Sequence, residues 1–171
     1  RYFILGGIVR DKIMGHEFQD VDISVECDSY AVLKSFFPDA QLVGKRHPVL
    51  LVTVATKTFE ISLVAKNAQG EYDVQQDTAK RFLCIDSLVY SPAHRAILDY
   101  HQAKFDFEEK VIRLLPGGAS ILLDNPVNAL RIIRHAAKYH FAIDESILAL
   151  FSQCIQILKN EIADNCITEL D

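Results

Sequence analysis

The sequence predicts an α+β fold: a mixed β-sheet with flanking helices over residues 1–120, then an all-helical part over residues 121–171. Two observations predict it. Short apolar runs bounded by glycine, proline and polar clusters recur through the first part, which is the pattern of buried strands. From Asp124 onward the apolar residues recur at helical spacing instead.

The elements follow in order. Tyr2–Leu5 reads as a short buried strand, and Gly6-Gly7 as the turn into a helix near Ile8–Met14. Val21–Glu26 reads as a second strand. Ser29 is placed to cap a helix over Tyr30–Phe37, which Pro38 would stop. "HPVLLVTVAT" and "KTFEISLVA" read as adjacent strands, a hairpin turning around Ala55–Lys57. The polar stretch Lys66–Thr78 reads as a mobile loop, and Asp77–Tyr90 as a helix ended by Pro92. "AILDY" and "VIRLL" read as short strands around the acidic segment "FDFEEK". In "DNPVNALRIIRHAAKYHF", Asp124 is an N-cap candidate, Pro126 an early proline, and Val127, Leu130, Ile133 and Ala137 an apolar stripe. "ESILALFSQCIQILKNEI" continues as helix.

Half of the 171 residues are hydrophobic (50%), enough for a sizeable core. No apolar run reaches the length of a membrane span, and no basic-then-apolar leader opens the chain, so a cytoplasmic protein with no membrane partner is expected. Net charge is -5, which argues against a whole-surface nucleic-acid binder and leaves a local basic groove open. The four cysteines lack the spacing of a zinc site and read as reduced thiols.

Two carboxylates interrupt the second strand. Residues i and i+2 of a strand point to the same face, so Asp20 and Asp22 project together. Carboxylates held that close repel unless a cation or proton lies between them. Mg²⁺ suits such a site, because it prefers oxygen ligands and keeps waters or phosphates in its other positions. Two such ions can activate a hydroxyl and stabilise a leaving pyrophosphate. The plainer reading is a polar approach to a strand. Glu60, inside "TFEISLV", would complete a three-carboxylate site if its strand neighbours Val21–Glu26; otherwise it is an edge glutamate facing water.

Cations and glycines supply the other half of the chemistry. Gly6 and Gly7 let backbone N–H groups approach a phosphate, and Arg10 stands one turn further on. Arg10 reads either as an anion ligand or as the ion-pair partner of Asp11 or another carboxylate. Lys80 and Arg81 read as triphosphate ligands or as a solvated face. Arg131, Arg134 and Lys138 share one side of the helix that follows Asp124, lining a phosphate cleft or facing water.

Together and in order, these segments resemble the head and neck of the class II poly(A) polymerase / CCA-adding tRNA nucleotidyltransferase family. "GGIVRDKIMG" is similar to the family's G-G-x-V-R-D-x-L-x-G motif, and "DVDI" to its D-F-D-I metal motif. "TFEISL" is similar to the strand of its third carboxylate, "KRFLCIDSLVYSP" to R-R-D-F-T-I-N-[AS]-L-x-Y, and "VIRLL" to a segment after the head sheet. "DNPVNALRIIRHAAKYHF" is similar to its neck helix, E-D-P-x-R-x-L-R-x-x-R-F-A-A-x-x-x-F. "LVGKRH" and "IDSLVYS" resemble poly(A) polymerases more than CCA-adding enzymes.

The resemblance implies a nucleotidyltransferase head over 1–120 and a helical neck over 121–171, the start of an RNA-binding body. It implies that Asp20 and Asp22 bind Mg²⁺, with Glu60 assisting. It implies that Gly6, Gly7, Arg10, Lys80, Arg81, Asn125, Asn128, Arg131 and Arg134 hold the nucleotide. The implied reaction transfers AMP or CMP from ATP or another NTP to the 3′ hydroxyl of an RNA, whether tRNA, mRNA or a small RNA. The chain departs from the motifs at Phe82 and Asn128, where the family has Asp and Arg, at Asp86, where it has Asn, at Ala65, where it has Arg, and at Asp124-Asn125, where it has Glu-Asp. Two other functions therefore stay open: a catalytically weak or inactive relative that binds RNA or a protein partner, and transfer to a different acceptor.

Overall fold

A computed structural model of the chain describes residues 1–18, 21–44 and 48–168, with 161–168 described as backbone only. Asp20 and the Lys45–His47 part of "LVGKRH" lie outside the described residues. The chain forms two compact units, one of residues 1–80 and 86–103, the other of residues 81–85 and 104–171. The boundary expected at 120/121 thus falls inside the second unit.

The first unit is built on a mixed sheet. Its elements are β1 (Tyr2–Leu5), α1 (Gly7–Ile13), β2 (Val21–Val25), α2 (Tyr30–Phe36), β3 (Gln41–Val43), β4 (Val49–Val54), β5 (Lys57–Leu63), α3 (Val74–Thr78), β6 (Val89–Ser91) and β7 (Ala96–Leu98). The strand order is β3-β4-β5-β2-β1-β6-β7. Among the described residues of this sheet, β2 and β5 pair in parallel and the other pairs are antiparallel. The expected β4–β5 hairpin turns at Ala55, whose φ of 55° lies in the left-handed region. Ser29 caps α2 as its sequence position predicts, its hydroxyl accepting from Val32 N–H at 3.2 Å.

The two faces of this sheet differ in chemistry. On one, Ile23, Val25, Leu50, Val52 and Ile61 pack with Leu33 of α2. On the other, Phe3, Leu5 and Val89 pack with Val74 of α3. Residues paired across neighbouring strands share a face. Leu5 pairs with Asp22, and Asp22 with Glu60, so the carboxylates stand on the α3 side, beside an apolar core.

Two expectations in this region are overturned. Asp77–Tyr90 is not one helix: α3 ends at Thr78, a 3₁₀ turn covers Cys84–Asp86, and β6 starts at Val89. Residues 82–89 are buried without a break, and a run buried on every side has no polar face to give a helix. Residues 81–85 instead hydrogen-bond to the second unit's own chain, with Cys84 N–H donating to Arg113 O at 3.0 Å and Leu115 N–H to Phe82 O at 2.9 Å. Lys66–Thr78, expected as a mobile loop, is a built turn. Lys66 bridges to Tyr72, the Asn67 side chain accepts from Gln69 and Glu71 N–H, and α3 follows.

The second unit contains α4 from Lys104 onward (Ala103–Glu109), β8 (Val111–Ile112), α5 (Gly118–Asp124), α6 (Asn128–Tyr139), β9 (Ala142–Ile143) and α7 (Glu145–Thr168). The acidic "FDFEEK" is α4, and the neck is not all-helical. His140, at φ 56°, ends α6 in the left-handed region, and the chain returns as β9 to pair in parallel with β8. Asp124 ends α5 rather than capping α6, which follows the turn closed by Asn128 N–H on Asn125 O at 3.0 Å. The α6 stripe is also corrected. Val127, Leu130, Ile133 and Ala137 are exposed, and the buried face carries Ile132, His135 and Tyr139. Aromatic contacts select that face: the rings of Tyr139 and His135 lie 5.6 Å apart, those of Tyr139 and Phe141 6.2 Å. Buried Asp106 of α4 accepts from Arg113 at 3.0 Å, and burial raises its carboxyl above the ordinary value despite that partner.

Candidate active site

The β2–β5 pairing sets the geometry of the site. Asp22 stands opposite Glu60, and Ser24 opposite Ser62. By strand alternation Asp22 and Ser24 share one face of β2, as Glu60 and Ser62 share that face of β5. The result is two polar rungs, one of carboxylates and one of hydroxyls. Asp22 is half-buried and Glu60 exposed, so this rung is open to a solute. Asp20 lies outside the described residues. Among the described residues no three His, Cys, Asp or Glu side chains cluster to hold a metal ion. The donor set of Asp22 and Glu60 still fits one kind of ion, a hard cation that takes carboxylate oxygens.

The Gly6-Gly7 turn joins β1 to α1. Gly6 has φ 65° and ψ -129°, backbone that glycine alone adopts without strain. Its N–H donates to Leu88 O at 3.1 Å, and its carbonyl accepts from Val9 and Arg10 N–H. Gly7 is small for a local reason: a Cβ there would stand 3.2 Å from Arg10 Nη2.

Arg10 differs from its expected role as a phosphate ligand. It is 5% exposed, and its guanidinium lies between Asp11 (6%) and Asp86 (2%). Nε donates to Asp11 Oδ1 at 3.0 Å, Nη2 lies 2.9 Å from the same oxygen, and Nη1 donates to Asp86. This is the ion-pair alternative read from the sequence. Its planar fork suits two carboxylates at once.

Lys80 and Arg81 separate at the unit boundary. Lys80 Nζ, on the first unit, donates to Asp77 Oδ1 at 2.9 Å. Arg81 belongs to the second unit with Asn125, Asn128, Arg131 and Arg134. There Asn125 is exposed, Asn128 opens α6, and Arg134 is exposed. Half-buried Arg131 places its guanidinium carbon 5.9 Å from the centre of the Phe82 ring.

Sequence reasoning missed Ser24, Ser62 and Asp77, and saw Asp86 only as a motif departure. One signal was present: Asp22-Ile23-Ser24 and Glu60-Ile61-Ser62 repeat the same acid–Ile–Ser alternation, as two strands presenting matched rungs would.

Comparison with known proteins gives the family and the fold. Residues 2–113 match the family described as the poly(A) polymerase head domain. The chain is 28% identical over 162 residues to poly(A) polymerase I of Salmonella typhi, covering 82% of this chain and 35% of that protein. It is 28% identical over 171 residues to a multifunctional CCA protein of Haemophilus influenzae, covering 91% of this chain and 39% of that protein. The chain thus spans little more than a third of these relatives' length. Its fold matches a tRNA-processing enzyme solved with CTP (TM-score 0.73, 23% identity, 92% of this chain and 43% of that one). It also matches a tRNA nucleotidyltransferase solved with a primer tRNA and an incoming ATP analogue (TM-score 0.71, 23% identity, 92% and 47%). With that family covering both the Gly6-Gly7 turn and the β2–β5 carboxylate rung, the chain belongs to the poly(A) polymerase head-domain family.

Proposed function

We propose that this chain carries the head of an RNA 3′-end nucleotidyltransferase, with ATP the foremost nucleotide and CTP the alternative. The observation that carries the reading is the in-register pair Asp22 and Glu60 on the open face of β2 and β5, in a chain of this family. In the reaction the RNA 3′ oxygen attacks the α-phosphorus, the α–β bridging P–O bond breaks, and pyrophosphate leaves as the hydroxyl proton is lost. Asp22 and Glu60, with Asp20, would hold Mg²⁺, which when bound supplies charge that offsets the developing negative charge on the phosphates. The chain's own contribution is positioning and fixed charge; no covalent intermediate on a side chain is required. Lys80 would contact the triphosphate, the glycine at position 6 would let the chain approach it, and Arg81, Arg131 and Arg134 would supply further cations. Asn125 and Asn128 offer donors and acceptors to a base edge. A cytoplasmic site of action, where NTP and RNA are both at hand, fits this reading.

A second reading has one observation in its favour. Arg10 is held by Asp11 and Asp86, which would take a cation from the expected nucleotide set and would suit a catalytically weak relative that still binds RNA. One assay separates the two. Purified protein is incubated with Mg²⁺, a short RNA primer and each labelled NTP in turn. Primer extension that is lost in Asp22→Ala supports the first reading. Absence of extension with every NTP, while the primer still binds, refutes it in favour of the second.

A further inference from the structure

The hydroxyl rung beside the carboxylates leads to a residue outside the expected site. Ser24 is fully buried, and its Oγ donates to Asp77 Oδ2 at 2.9 Å. A serine has one hydroxyl hydrogen, and Ser24 spends it on Asp77. With that hydrogen spent, the 2.9 Å contact between Ser24 and Ser62 draws on the Ser62 hydrogen, which Ile23 O at 3.4 Å also accepts. At its other oxygen, Asp77 accepts from Lys80 Nζ at 2.9 Å. One carboxylate thus ties the strand carrying Asp22 to the ammonium of Lys80.

The anchor is tied into the fold at both ends. The α3 helix that bears Asp77 is capped by the Asp73 side chain on Gln76 N–H, and its Val74 is packed against Phe3, Leu5 and Val89. Thr78, the next residue, donates to Gln75 O at 2.8 Å, so His101 Nε2, 3.0 Å away, is the donor to the Thr78 hydroxyl. On the sheet side, Ser24 lies two residues along β2 from Asp22, about 6.6 Å at the usual strand rise. Lys80 spends one of its three donors on Asp77, and its side chain remains 54% exposed. The remaining donors stay available to an anion.

We infer that Asp77 is a positioning residue: through Ser24 on one side and Lys80 on the other, it holds the lysine's charge at a set place beside the Asp22–Glu60 rung, where it meets the phosphates of an incoming nucleotide. This rests on the nucleotidyltransferase reading given above. Lysine is a flexible point charge, and holding it before the ligand arrives reduces the ordering cost of binding.

A double-mutant cycle tests the inference with Asp77→Asn, Lys80→Met and the combined variant of the purified protein. Asn keeps the shape of Asp and an acceptor for Ser24, but not the charge that holds Lys80. With Mg²⁺, ATP and an RNA primer, Asp77→Asn should raise KM for ATP about threefold to fivefold, the upper part of the range of one exposed ion pair, with kcat near the parent's. In the Lys80→Met background the same change should raise KM no further. Ser24→Ala should move KM in the same direction. Equal effects of Asp77→Asn in both backgrounds, or a fall in kcat with KM unchanged, overturn the inference and leave the function standing. A parent that neither extends the primer nor gains melting temperature with Mg-ATP overturns both.

Discussion

Arg10 offers the sharpest test of how the first unit is held together. One guanidinium compensates two buried carboxylates, Asp11 and Asp86, and all three side chains are under a tenth exposed. Removing one partner from an ordinary buried pair costs about 3–5 kcal/mol, because the other charge stays buried and uncompensated. Arg10→Met removes one shared partner from two buried carboxylates, so its cost should lie at or above the top of that range. Asp86→Asn is milder. It keeps an acceptor oxygen for Nη1 and leaves Arg10 paired with Asp11, so the expected loss is about 1–2 kcal/mol, the difference between a charged and a neutral hydrogen bond. Arg10→Lys should fall between them, since it keeps the charge and loses the fork. Equilibrium unfolding in urea gives the order directly. Arg10→Met within about 1 kcal/mol of the parent, or Asp86→Asn costing more than Arg10→Met, would refute the assignment of Arg10 as a structural cation.

Two further outcomes follow from local geometry. Gly118→Ala should destabilise the second unit by about 1–3 kcal/mol in urea unfolding, as overpacking does. The new Cβ would stand 2.6 Å from Phe82 O and 3.1 Å from Leu114 Cβ, and the first of these is backbone that cannot swing away. Asp106 governs a pH dependence, since burial raises its folded-state carboxyl above the ordinary value of 3.8. Its contribution to stability is present below that value and is lost as pH rises through the raised folded value. The stability of the parent relative to Asp106→Asn should therefore fall as pH increases across the carboxylate range. A difference that rises with pH in matched urea titrations would contradict this.

Much of the site was legible in local pattern. The strand readings of Val21–Glu26 and "TFEISLV" place Asp22 and Glu60 inside strands, and Gly6 marks the sharp turn before α1. Strand faces and tight turns are properties of a few neighbouring residues, and sequence order carries them. The stretch after Thr78 was not legible, because an unbroken buried run has no period to separate strand from helix. The α6 stripe misled for a related reason. Apolar residues occur on both sides of that helix, and the aromatic contacts of Tyr139 decide which side is inside.

By itself the sequence determined the mixed sheet, the β4–β5 hairpin, the capped α2 and the family to which the chain belongs, since each depends on local spacing or on the order of motifs. Tertiary structure decided which distant groups complete the environment of the charged side chains. Whether Arg10 faces a phosphate or a carboxylate depends on Asp86, which lies 76 residues further along the chain. Whether Lys80 is a loose surface charge depends on Asp77 and, through it, on Ser24, 53 residues before Asp77. A charge takes its role from whichever opposite charge the fold brings within hydrogen-bond reach, and that separation in sequence leaves no local trace.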